Sequence, residues 1–135
     1  MVEKNSAVAE AKDVVRSHES YAMANDLDGV MSNIANDIVL LAADNALVEG
    51  AKAFRDFYSG MIAAGQQDFG HDCTGEATIG NDVVILNGVS RGSLTASDGT
   101  VSNFSNNFIH ILKRGEDGQF KIWRASFAPD GSISQ

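Results

Sequence analysis

Residues 101–113 read VSNFSNNFIHILK. In a β-strand alternate residues share a face. Phe104, Asn106, Phe108, His110 and Leu112 therefore stand on one side, and Val101, Asn103, Ser105, Asn107, Ile109 and Ile111 on the other. Both sides mix apolar residues with amides or hydroxyls, and one carries a histidine. Core filling alone does not call for these asparagines, and exposure to water does not call for Phe104, Phe108, Ile109 and Ile111. The pattern predicts a long strand with a core or pocket on one side and a half-buried surface on the other.

Working outward, Ser97-Asp98-Gly99 is a hairpin turn that joins this strand to an earlier one over Asp82–Ala96. Gly115-Glu116-Asp117-Gly118 leads on to a last strand, Phe120–Phe127. Phe69–Ile79 is a further strand. The first half is different. Val8, Ala11, Val14, Val15, His18, Tyr21 and Ala22 recur at three- and four-residue spacing and predict a helix over 5–24. Asp26 is placed to cap a second helix, Leu27–Ile34. Asp37–Ala43 and Leu47–Glu49 read as strands about an Asp44-Asn45 turn. Phe54, Phe57, Tyr58, Met61 and Ile62 mark a third helix, Ala51–Ala64. Three helices in the N-terminal half and a strand meander behind them imply an α+β fold. A mostly antiparallel, strongly curved sheet would wrap over the helices as a cone, residues 1–135 making one domain.

The formal net charge of -8 argues against nucleic acid and anionic membranes as partners. Lys113-Arg114 reads as a solvated strand end. Cys73 is the only cysteine, so neither an internal disulfide nor a zinc framework is available. No metal-ligand spacing, phosphate loop or other cofactor motif appears, and the expectation is a cofactor-free cytoplasmic protein. No apolar run is long enough to span a membrane, and MVEKNSAVAEAK lacks a signal-peptide core.

The order of elements resembles the nuclear-transport-factor-2-like superfamily, which includes ketosteroid isomerase, the SnoaL-like polyketide cyclases, scytalone dehydratase and limonene epoxide hydrolase. The local match is to ketosteroid isomerase. It rests on Asp26-Leu27-Asp28-Gly29-Val30, Arg55-Asp56-Phe57-Tyr58 and Arg124-Ala125-Ser126-Phe127. The resemblance places His18 where that family has its oxyanion-hole tyrosine, with Tyr21 one turn on. It places Asn106 at the family's second oxyanion donor. At the general-base position this chain has Ala42, so steroid isomerisation is not expected. Asp44 shares the strand parity of Ala42 but reads as a turn residue at the rim.

The same alignment points Asn87, Val89, Arg91 and Ser93 into the cone from one strand. Phe104, Asn106, Phe108 and His110 follow from the next, and Trp123, Ala125 and Phe127 from the last. His18, Tyr21 and Phe57 come from the helices. The expected catalytic set is His18, Tyr21 and Asn106; the expected ligand-binding set is Phe57, Asn87, Arg91, Phe104, Phe108, Trp123 and Phe127. An inward Arg91 would need an anion, either in a ligand or in an internal ion pair with Glu76 or Asp72; a one-residue slip of the strand phase would instead turn it outward. His110 reads as a wall residue. His71-Asp72-Cys73 has no evident third orienting group and is not read as a nucleophilic site. The outer face, with Asn103, Ser105, Asn107, Ile109 and Ile111, joined by Ile122 and Arg124, is expected to make a homodimer.

The expected function is SnoaL-like binding of a small apolar or mildly anionic molecule, with isomerase, cyclase or dehydratase chemistry on a carbonyl compound. The alternatives are a non-catalytic binding or association module and an epoxide hydrolase, which would need an Asp-Arg-Asp relay.

Overall fold

The computed structural model describes residues 4–132. The elements run α1 (Lys4–Met23), α2 (Leu27–Ser32), β1 (Ile34–Leu41), β2 (Leu47–Glu49), α3 (Ala51–Ala64), β3 (Gln66–Ile79), β4 (Val83–Thr95), β5 (Val101–Arg114) and β6 (Phe120–Pro129). Six strands form one sheet in the order β2-β1-β6-β5-β4-β3. All neighbours are antiparallel except β1 and β6. The helices pack on one face of this curved sheet, as expected for the α+β cone. No described helix is long and apolar enough to cross a membrane.

Local chemistry explains the boundaries. The Asp26 carboxylate accepts the Gly29 N–H at 2.9 Å and starts α2. Asn33 closes α2 by donating its N–H to the carbonyls of Met31 and Val30. The chain is thereby freed to enter β1 at Ile34, three residues before the expected start. α1 buries Ala7, Val8, Ala11, Val15, His18 and Ala22 against the sheet, but Tyr21 is turned aside and 37% exposed. Ile38, Leu86, Leu112, Val30 and Val84 form the driest part of the core. Arg114 is not a solvated strand end. Its guanidinium donates to Glu10 of α1 at 2.8 Å and to the carbonyls of Asn81 and Gly118, which pins α1 across the end of β5.

Sheet curvature rests on close backbone approach at Gly88 and Gly92 of β4. A Cβ at Gly88 would collide with the Asp72 carbonyl oxygen, and one at Gly92 with that of Asp68. β3 can fold down over β4 only because these positions lack side chains. Gly88→Ala should therefore cost more than about 2 kcal/mol in urea unfolding, since backbone must move to admit the methyl group. Gly60, on the exposed side of α3 with open space around it, should behave oppositely: Gly60→Ala should gain about 0.5–1 kcal/mol. Equal effects at the two positions would contradict this account of the curvature.

Candidate active site

The β4–β5 hairpin decides which side chains face the helices. Ala96 donates its N–H to the Thr100 carbonyl at 2.8 Å, and Gly99 takes φ of 87° in the three-residue turn between them. From there Arg91 pairs with Ser105, Ser90 with Asn106 and Leu86 with His110. Opposite residues share a face, so Phe104, Asn106, Phe108 and His110 point inward, as the sequence suggests. On β4 the inward set is Leu86, Ser90 and Leu94, one residue out of phase with the expectation. Arg91 and Asn87 are therefore exposed on the outer face. This corrects their expected place in the pocket, and it leaves no arginine in the cavity for an epoxide-hydrolase relay.

β6 carries a second correction. Between Ile111↔Arg124 and Leu112↔Ile122 the register shifts by one, so Trp123 is the extra residue of a β-bulge. Ile122, Ala125 and Phe127 face inward, and Trp123 leaves the pocket. Its indole N–H donates to Asp37 at 3.1 Å, and Arg124 and Lys113 lie over its ring at 4.2 and 4.8 Å. Ile122 is 3% exposed and belongs to the core, not to the outer face. Tyr21 lies against Gly29 and does not line the cavity.

Between helices and sheet lies a cavity of about 400 Å³. Its wall is mostly apolar and aromatic, with Phe54, Phe57, Tyr58, Phe69, Phe104 and Phe127. Of the expected residues, His18, Phe57, Asn106, Phe104 and Phe127 line it. Phe108 is buried beside it, its ring 4.9 Å from the His71 ring in edge contact. Asp44 stands at the rim, where its carboxylate accepts the Ala46 N–H at 3.0 Å as a turn residue does.

All three histidines of the chain converge on one wall. His71 is held from two sides: Glu19 Oε2 accepts its backbone N–H at 2.6 Å and lies 2.8 Å from its Nδ1. Its Nε2 meets Nε2 of His110 at 3.2 Å. The His18 ring sits 6.5 Å from the His71 ring, centre to centre. Gly88 makes the reach across β4 possible, because it leaves no side chain between β3 and β5. The His71 side chain is 1% exposed and that of Glu19 15%, so the carboxylate is the solvent-side end of the chain. Burial alone would raise the Glu19 carboxyl, but hydrogen bonds from His71 and its charge outweigh it and hold the group below its ordinary value. Glu19 is thus ionised at neutral pH and fixes the His71 proton on Nδ1. In the tautomer that carries its proton on Nδ1, His71 Nε2 is an acceptor and His110 Nε2–H donates to it. Nδ1 of His110 and Nδ1 of His18 are buried without a hydrogen-bond partner among the described residues. Tyr58 donates to Gln67 Oε1 at 3.2 Å, and burial raises its phenol so that it stays protonated.

Glu19, Tyr58, Gln67, His71 and Ser90 are site residues that sequence reasoning missed. Glu19 is the orienting group that His71 lacked, and it lies 52 positions away in sequence. Among the described residues no group of three or more His, Cys, Asp or Glu side chains is arranged so that it could hold a metal ion.

No family model and no curated protein matches the chain. Comparison with solved structures shows that it has the nuclear-transport-factor-2-like fold. A nuclear-transport-factor-2-like superfamily protein from Salmonella enterica serovar Typhimurium superposes with a TM-score of 0.83 at 7% identity, over 98% of this chain and 96% of the other. A ketosteroid isomerase-like protein from Erwinia carotovora atroseptica gives 0.83 at 14% identity, over 94% and 98%. An association-domain-like protein of the calcium/calmodulin-dependent protein kinase II type from Xanthomonas campestris gives 0.81 at 15% identity, over 98% and 91%.

Burial, and then the neighbouring His71 charge, lower His18 from 6.5 to about 4. His110 is lowered well below the usual value for the same reasons. Between pH 6.5 and about 4 the unfolded chain binds more protons than the folded one, so stability rises with pH across that window. It should be full above about pH 6.5 and fall towards pH 4, with His18 alone accounting for up to about 3 kcal/mol. Urea unfolding at a series of pH values should show this slope, and His18→Gln should flatten part of it. A flat profile from pH 7 to 4 would mean that these imidazoles are not buried and neutral.

Proposed function

We propose that the cavity binds a small, mostly apolar carbonyl compound and that the protein moves a proton on it without a cofactor, as an isomerase or lyase. The observation that supports this reading is the Glu19–His71–His110 chain set in the wall of an apolar cavity beside His18. Glu19 orients His71 and stabilises the imidazolium that forms when His71 or its partner takes a proton. His110 passes the proton along, its free Nδ1 being the buried end of the chain. His18, neutral at pH 7, is the second proton-exchanging group. Asn106 donates a hydrogen bond to the ligand oxygen as negative charge develops there. The aromatic wall holds the carbon skeleton and keeps water out. Ketosteroid isomerase-like and scytalone-dehydratase-like proteins share the fold.

Exchange of α-hydrogens of 2-tetralone in deuterium oxide, followed by NMR, tests this directly. The protein should accelerate exchange above the buffer rate, and His71→Ala should reduce the effect by about 10²–10⁴-fold. Binding without acceleration would leave a ligand-binding module and exclude proton transfer.

A second reading, association, is favoured by the outer face. Ile109 is 52% and Val101 56% exposed there, and an association-domain-like protein shares the fold. In this reading the chain forms a homodimer through that face. Sedimentation should show a dimer at micromolar concentration, and Ile109→Glu should convert it to a monomer with an unchanged circular-dichroism spectrum. A wild-type monomer would rule the dimer out.

A further inference from the structure

The cavity wall offers hydrogen bonds but no counter-ion for an acid. Among the described residues its lining holds neither lysine nor arginine. Arg91, the only arginine of β4, is exposed on the opposite face of the sheet. The carboxylates near the cavity make matters worse for an anion: Glu19 stands directly behind His71, and Asp44 sits at the rim. A carboxylate drawn into this space would be buried without a partner, and it would approach a protein of formal net charge -8.

A neutral oxygen is served far better. The strand register sets His71, Ser90 and Asn106 side by side across β3, β4 and β5, all facing inward. The Asn106 carboxamide makes no hydrogen bond to another described residue, so its N–H and C=O groups are available to a ligand. Neighbouring strands lie roughly 4.8 Å apart, so the row spans about the width of one or two fused rings. Phe69 and Phe104, whose ring centres are 6.3 Å apart, flank this row one step along the strands.

We infer that the cavity takes uncharged ring compounds bearing a carbonyl or hydroxyl group and rejects their carboxylate counterparts, because its polar wall is the hydrogen-bonding row His71–Ser90–Asn106, the His71 ring is already paired with the Glu19 carboxylate, and no lysine or arginine among the described residues lines the space. This inference rests on the small-molecule reading above and narrows it to a substrate class, against the mildly anionic ligand that the sequence suggested.

The test is isothermal titration at pH 7.5 with matched pairs, 2-naphthol against 2-naphthoate and 2-acetylnaphthalene against 6-acetyl-2-naphthoate. The neutral member of each pair should bind at least tenfold more tightly. Ala43→Lys at the rim and Leu94→Arg in the wall each add a cation, and each should narrow the gap several-fold in whichever variant retains the wild-type circular-dichroism spectrum. Arg91→Ala should leave both affinities unchanged. Equal or tighter binding of the carboxylates to the wild type overturns the inference while the pocket reading stands. Loss of carboxylate binding in Arg91→Ala would also overturn it. Failure of every compound to bind overturns both.

Discussion

The hairpin closed by Ala96 and Thr100 fixes the phase of β4 against β5, and the content of the cavity follows from that phase. With a three-residue turn, residues whose numbers sum to 196 stand opposite each other. Asn106 therefore brings Ser90 inward, and Ser105 takes Arg91 outward. A slip of one residue would put a guanidinium into a wall that now holds neither lysine nor arginine among the described residues. The same phase puts Gly88 and Gly92 where β3 must descend on β4. Sheet curvature, the width of the cavity and the reach of His71 to His110 thus share one origin.

On that frame the Glu19–His71–His110 chain stands apart from the surrounding apolar packing. Each member comes from a different element: α1, β3 and β5. Such a chain is costly to bury. Protonating His18 or His110 costs stability, because burial disfavours the charged ring, and the Nδ1 atoms of these two residues lack partners among the described residues. Hydrophobic residues of similar size would fill the same wall at less cost. The proton transfer proposed above would run between an ionised, partly solvent-facing carboxylate at one end and an apolar cavity at the other.

Much of the fold was legible in the sequence, because amphipathic stripes and turn chemistry are local. α3 begins and ends where Gly50 and Gly65 place it, and the alternation in 101–113 gave the inward face of β5 correctly. The site was legible only in part. The alignment with the resembled family put Arg91 and Asn87 on the wrong face of β4, although counting outward from Ser97-Asp98-Gly99 as a three-residue turn would have set it right. The bulge at Trp123 has no such signal, and it moved the indole out and Ile122 in. Glu19 could not have been paired with His71 from sequence, since their meeting depends on how α1 lies across β3. For the same reason His71 was passed over as lacking an orienting group.

The central claim is that Glu19 fixes the tautomer of His71 and, through it, that of His110. Long-range proton–nitrogen NMR of the three imidazoles at pH 7.5 tests it most directly. The account predicts His71 protonated on Nδ1, His110 protonated on Nε2 with a bare Nδ1, and His18 neutral, with Glu19→Gln shifting the ring-nitrogen resonances of His71 and, through it, those of His110. An unprotonated His71 Nδ1, or a His71 spectrum indifferent to Glu19→Gln, would contradict it.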